Sequence, residues 1–302
     1  MTATEVDLSF VIPMYNEEDI VGEAVQRVLE VGRRWGRSFE VLAVDDGSQD
    51  KTPAVLAELS ETHANVRWVQ LRPNCGQPAA SKAGMLAARG RMVVVLDADL
   101  QTPPEVVPDL VSTLENAPPD VAAVFGVTST AQRDDPTRLL VGQAVFYFLE
   151  TRLGRRAIPH GASSFFVMRK DVARRLGRLT FSKGNVGAVM AAVGLRMTTV
   201  TYVKPKSYRD ESRLGLRGHV EEAVGSLALT GVFTRVGTIG AALGSVGSIR
   251  ARSRTGRGLA IGTTVASVAG VVAAEWFNRR SLRLSSTELP SYEHGSRIPQ
   301  DD

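Results

Sequence analysis

A chain of 302 residues, 43% of them hydrophobic, has room for a full core and for one large domain or two smaller ones. Its only cysteine, Cys75, excludes an intramolecular disulfide and favours a reducing compartment. The formal charge of +4 is mild, and no interleaving of aromatic and basic residues speaks for nucleic acid; arginines gather in the C-terminal third, which points to phosphate groups or a lipid surface.

Residues Thr2 to Asp7 are polar and lack the pattern of a secretory signal. Leu8 to Pro13 predicts a strand, and Asn16-Glu17-Glu18 behind it predicts a helix start with an N-cap and an acidic first turn. Ile20, Val21, Ala24, Val25, Val28 and Leu29 then recur at helical spacing and give that helix one buried face. A strand over Glu40 to Val44 ends at Asp45-Asp46-Gly47-Ser48. A helix from about Pro53 to Ser60 follows, then a strand from Val66 to Leu71. Next come a loop, Arg72-Pro73-Asn74-Cys75-Gly76-Gln77, with glycine for close backbone approach, and a helix from about Pro78 to Ala88. The run Val93-Val94-Val95-Leu96 predicts a buried strand, Pro104 to Leu114 a helix, and Val121 to Phe125 another strand. Strands alternating with helices across short loops predict an α/β fold: an open, mostly parallel sheet wound on both faces.

The stretch that organises the chain is Asp97-Ala98-Asp99-Leu100-Gln101-Thr102-Pro103-Pro104-Glu105, which begins where the buried strand ends. Open α/β sheets bind ligands at this end of their strands. Hard oxygen ligands there suit a divalent cation, Mg2+ or Mn2+, that keeps several waters and shares a substrate's phosphates. The competing explanation for the two acids is ordinary helix N-capping. Glu17 has a similar alternative as a first-turn helix acid.

Four motifs stand in one order: Phe10-Val11-Ile12-Pro13-Met14-Tyr15-Asn16-Glu17-Glu18, Val44-Asp45-Asp46-Gly47-Ser48, Asn74-Cys75-Gly76-Gln77, and the Asp97 to Glu105 stretch. In that order they resemble glycosyltransferase family 2, and the last is similar to its polyprenyl-phosphate branch, which includes the dolichol-phosphate mannose synthases. The resemblance covers about residues 7 to 130 most fully and thins beyond about residue 220. It implies a GT-A type, Rossmann-like fold that binds a nucleotide-diphosphate sugar. It further implies that Pro13, Tyr15, Glu17 and Asp46 contact the nucleotide, that Asp97 and Ala98 contact nucleotide or sugar, and that Asp99 and Gln101 hold the metal.

A sugar hydroxyl acceptor needs a general base, whereas a lipid phosphate already carries negative charge, with a second pKa of about 6 for a monoester. In Gly161-Ala162-Ser163-Ser164-Phe165-Phe166, serine stands where relatives often carry aspartate and Phe166 where they carry arginine. That departure fits an ionised acceptor. Asp134, Asp135 and His160 are the other candidate bases, each also explicable as a loop residue. Tyr208 to Arg217 is similar to the family's loop that closes over phosphate, with Ser212 and Arg213 aligned. Arg209 substitutes for an upstream arginine, since guanidinium offers phosphate a fork of donors.

Val236 to Ile249 is uncharged but only about 21 Å long as a helix, short of a bilayer core of about 30 Å. Gly258 to Phe277 is longer, small-residue rich, and contains Glu275. Arg250, Arg252, Arg254 and Arg257 lie between the two runs, against the positive-inside tendency for a full hairpin. The expectation is a shallow or re-entrant pair of helices with arginines at anionic headgroups, the alternative a soluble helix pair packed on the catalytic domain. The chain therefore divides into a catalytic domain over 1–218, a helical membrane-associated region over 219–283 and a disordered polar tail over 284–302. The leading expectation is an inverting transferase that moves a sugar from a nucleotide donor to polyprenyl (undecaprenyl or dolichyl) phosphate at the cytoplasmic membrane face. A transferase for soluble acceptors and a catalytically silent sugar-nucleotide binder remain open beside it.

Overall fold

A computed structural model describes residues 6–99, 101–128, 159, 162, 164–180 and 186–203, with the backbone of two short pairings at 283–284 and 293–294. Strand β1 (Leu8–Met14) is buried along its whole length and sits at the middle of the sheet. It pairs in parallel with β2 (Phe39–Asp45) on one side and β4 (Met92–Val95) on the other, and β3 (Val66–Gln70) extends the sheet beyond β2. Beyond β4 lie β6 (Phe166–Arg169), β5 (Val121–Thr128) and β8 (Arg196–Tyr202). Among these, β6 alone runs against its neighbours, antiparallel to both β4 and β5, while β5 and β8 are parallel. At the outer edge Glu293–His294 pairs antiparallel with β3. A two-residue strand, β7 (Leu179–Thr180), pairs with Arg283–Leu284.

Continuous apolar strands make sense because both faces of the sheet are covered. Alternate residues such as Phe10, Ile12, Val41 and Val94 point to one core with α1 (Val21–Trp35), α2 (Thr52–Thr62) and α4 (Val107–Asn116). Val11, Leu42, Val44, Val93 and Val95 point to the other, with α3 (Gln77–Ala87), α5 (Lys170–Gly177) and α6 (Val186–Ala192). Helix α3 lies so close to β1 that a Cβ added at Gly84 would stand 2.2 Å from Val11 Cγ1. The fold is thus α/β, with a mostly parallel sheet covered on both faces.

Two boundaries differ from expectation for local reasons. Helix α1 begins at Val21, not at Asn16, because Asn16 takes φ 53 and Glu17 closes a turn whose carbonyl accepts from Ile20 and Val21 N–H. The helix expected from Pro104 opens as a 3-10 turn over Pro104–Val106 and becomes α-helical at Val107, where Pro108 occupies the first turn without needing a donor. Strand β6 was not anticipated, being a short apolar run with no alternation to mark it.

No helix among the described residues is long and apolar enough to cross a membrane. The runs 236–249 and 258–277 lie outside the described residues, as does the rest of the expected helical region apart from the backbone at 283.

Candidate active site

The parallel strands β1, β2 and β4 point their carboxyl ends to one rim: Met14 lies beside Asp45, while β4 ends earlier, with Val95 beside Val11, so that Leu96 to Asp99 continue toward the same edge. The loops leaving β1 and β2 are laced to each other. Asn16 N–H donates to Ser48 Oγ at 2.8 Å and Gln49 N–H to Asn16 Oδ1 at 2.9 Å. Glu17 N–H donates to Thr52 Oγ1 at 2.8 Å, Glu18 N–H to Asp50 Oδ2 at 3.1 Å, and Lys51 N–H to Glu18 Oε2 at 3.0 Å. Pro13 is buried within β1, Tyr15 is 36% exposed on the rim, and Glu17 is 7% exposed. Glu17 therefore stands before α1 and is not the first-turn acid of that helix.

Successive carboxylates at the β2 tip face opposite ways. Asp45 is fully buried; its Oδ1 accepts from Ser48 N–H at 3.1 Å and from the Ser48 hydroxyl, and its Oδ2 accepts from Gln70 Nε2 at 2.7 Å. Asp46 turns instead to the next loop: Oδ1 accepts from Cys75 N–H at 2.8 Å and Oδ2 from Gly76 N–H at 2.7 Å. Burial pushes the Asp46 carboxyl above its ordinary value, and the Asp45 charge adds to this; the two backbone donors oppose it. Gly47 permits the approach, with φ 75 and a Cβ position 3.0 Å from both Asn74 N and Leu71 O.

At the β4 tip, Asp97 Oδ1 accepts from Gln77 Nε2 at 2.7 Å, and Asp97 N–H donates to Thr102 Oγ1 at 3.2 Å. Asp99 Oδ1 accepts from Gln101 N–H at 3.0 Å, an Asx-type turn. Neither aspartate caps the helix that follows: the 3-10 turn starts after Pro103 and α4 after Val106, both without a side-chain cap. Helix capping is thereby removed as the explanation for the pair. Ala98 between them is buried in the core, so only its backbone is at the rim. Among the described residues no group of three or more His, Cys, Asp or Glu is placed to hold a metal. Asp99 and Gln101 still fit Mg2+ or Mn2+, since both offer hard oxygens and such cations complete their shell with water and phosphate.

Two residues near these acids escaped the sequence reading. Tyr202, last in β8, is 7% exposed and packs edge-on against Phe165 with ring centroids 5.5 Å apart. Burial first, then the Asp97 and Asp99 charges, push its hydroxyl up to about 12, so both carboxylates project their field onto one phenol. Its position at a strand's carboxyl end was the available signal. Gln77 touches both Asp97 and Ser164 (2.7 and 3.4 Å) and stood inside a motif without an assigned role. Asp134, Asp135, His160, Ser163, Arg209, Ser212 and Arg213 lie outside the described residues.

The family model described as glycosyl transferase family 2 matches residues 9–177. An uncharacterized glycosyltransferase of Bacillus subtilis, YkcC, is 31% identical over 212 residues, which cover 70% of this chain and 64% of that protein. The undecaprenyl-phosphate 4-deoxy-4-formamido-L-arabinose transferase of Pectobacterium atrosepticum is 33% identical over 156 residues, 51% of this chain and 46% of that one. The chain thus matches less than two thirds of the length of either relative. Among solved structures, mannosyl-3-phosphoglycerate synthase from Rubrobacter xylanophilus superposes with a TM-score of 0.55 at 17% identity, covering 82% of this chain and 77% of that one. Glucosyl-3-phosphoglycerate synthase from Mycobacterium tuberculosis, solved with Mn2+, UDP and phosphoglyceric acid, gives 0.50 at 20% identity, over 74% and 77% of the two chains. Both likenesses are of fold.

Proposed function

This chain belongs to glycosyl transferase family 2, and from that premise we propose that it moves a sugar, with inversion, from a nucleotide-diphosphate sugar to polyprenyl phosphate. The observation that carries the proposal is the pair Asp97 and Asp99 at the β4 tip, which cap no helix and are held instead by Gln77 Nε2 and by the Gln101 N–H. The undecaprenyl-phosphate transferases among its relatives support the acceptor class.

In this proposal Pro13, Tyr15, Glu17 and Asp46 line the nucleotide end and Asp97 with the Ala98 backbone meets the diphosphate sugar. Asp99 and Gln101 would hold Mg2+ or Mn2+, which when bound would supply positive charge to offset that of the nucleoside diphosphate. The bond from the anomeric carbon to the diphosphate oxygen breaks as a bond to an acceptor phosphate oxygen forms on the opposite face. That oxygen is already ionised, so no side chain has to take a proton. Arg209, Ser212 and Arg213 would receive the acceptor phosphate, as guanidinium forks do. We also assign residues 1–218 to catalysis, 219–283 to a helical region lying on or dipping into the cytoplasmic membrane face, and 284–302 to a polar tail. Arginines of the helical region would meet anionic headgroups.

The test is incubation of the full chain with a panel of UDP- and GDP-sugars, Mg2+ or Mn2+, and a short-chain polyprenyl phosphate. A lipid-linked sugar that forms with at least one donor is the expected result. Donor cleavage with no sugar on lipid, or transfer only to a soluble acceptor, would overturn the acceptor class.

A further inference from the structure

Gln77 joins parts of the rim that come from distant stretches of chain. It is the first residue of α3 and directly follows the Cys75 and Gly76 amides that Asp46 holds. Its Nε2 donates to Asp97 Oδ1 at 2.7 Å and to Ser164 Oγ at 3.4 Å. One amide nitrogen carries two N–H groups, so these two partners together set the plane of the side chain. The contact to Asp97 is the stronger, being short and charge-assisted.

We propose that Gln77 is a positioning residue for the donor site, one that sets the orientation of the Asp97 carboxylate and ties the segment before β6 to the tip of β4. The proposal rests on the reading of Asp97 as a donor contact. A carboxylate's terminal torsion is broad and costs little to turn, so an aspartate on a rim needs a partner to face one way. A neutral amide is suited to that task. It donates a hydrogen bond without cancelling the negative charge, whereas lysine or arginine at the same place would compete with any incoming cation. The connection also runs back to the nucleotide end, because Asp46 grips Cys75 and Gly76 and the very next residue grips Asp97. Two of the rim's carboxylates are thereby held through three consecutive residues.

The experiment measures binding of UDP-glucose and GDP-mannose, each with Mn2+, to the full chain by calorimetry, for the wild type and for Q77A, Q77E, S164A and D99A, with a melting curve for each. Q77A should weaken binding about 10-fold, the lower end of the loss usual when a partner that orients a binding carboxylate is removed. Q77E separates positioning from structure. Glutamate in the first turn of a helix is favourable, so a merely structural residue would leave Tm unchanged or raised and binding intact. A positioning residue would instead lose more affinity than in Q77A, because a second carboxylate would face Asp97. S164A, which removes the longer contact, should have a smaller effect than Q77A. If D99A abolishes binding while Q77A and Q77E bind like the wild type, the positioning role is overturned and the functional reading stands. If the wild type binds neither nucleotide sugar, or D99A binds as the wild type does, the functional reading falls and the role of Gln77 with it.

Discussion

The two ends of the sheet each bury a carboxylate, and they treat it differently. At the amino-terminal edge, Glu40 accepts from Ser9 Oγ at 2.5 Å, from Arg67 Nη1 at 2.6 Å and from Arg89 N–H at 2.6 Å, while Gly90 N–H donates to Ser9 Oγ at 2.8 Å. A guanidinium and three strands converge there, and the charge is cancelled inside the protein. At the carboxyl-terminal rim, Asp46 is just as buried but its partners are the backbone amides of Cys75 and Gly76, with no cation among the described residues. Asp99 likewise rests on a backbone amide. One edge is a closed ion pair that holds strands in register; the other keeps negative charge in place without neutralising it, as the proposed cation site would need.

The largest effects should come from breaking each edge in turn. Glu40→Ala leaves Arg67 without its buried partner and orphans a hydroxyl and an amide, which should cost about 3–5 kcal/mol in urea unfolding while the folded fraction still binds donor. Asp99→Ala should do the reverse: Tm is kept, and sugar transfer falls on the order of 10²–10³-fold, the scale for losing one electrostatic contact to developing charge. Should both variants lose stability alike, the contrast between the edges would collapse.

A smaller effect is expected where the rim's backbone is tightest. Gly47→Ala places a Cβ 3.0 Å from Asn74 N and Leu71 O at φ 75, so unfolding should register a loss of roughly 1–2 kcal/mol. Donor affinity should fall with it, because the displaced loop is the one Asp46 holds. Wild-type affinity in that variant would mean that the loop is not part of the site.

The smallest concerns Asp7, just before β1 on the same side as Glu40. The Ser38 hydroxyl hydrogen bond, aided by the Arg91 charge, holds its carboxyl below the ordinary value of 3.8. Because the folded form is the stronger acid, the stabilisation is present above that value and is lost as pH falls through the depressed one. Asp7→Asn should therefore lower stability slightly at neutrality, where the wild type has the full contribution, and flatten the stability profile below about pH 4, where the two converge. An acid slope as steep as that of the wild type would remove Asp7 from the account.

Much of this arrangement is legible in the linear chain. Apolar runs ending in acids mark β1, β2 and β4 and their ligand-binding ends, because a doubly covered parallel strand must be apolar throughout and its polar residues can only gather at its tips. The Asp45 to Ser48 and Asp97 to Gln101 stretches were recognisable for that reason. Strand β6 was not: three apolar residues and an arginine without alternation do not disclose direction, and its place between β4 and β5, antiparallel to both, belongs to the tertiary structure.

The sequence by itself determined which carboxylates stand at strand ends, since that follows from periodicity and burial within a few residues. The tertiary structure decided what each carboxylate faces. Asp45 turns inward to Gln70, Asp46 turns to amides 29 and 30 residues away, Asp97 meets Gln77, and Tyr202 arrives from the far side of the sheet. Such partners are set by the packing of helices and strands distant in the chain, and no local pattern of residue types encodes that distance.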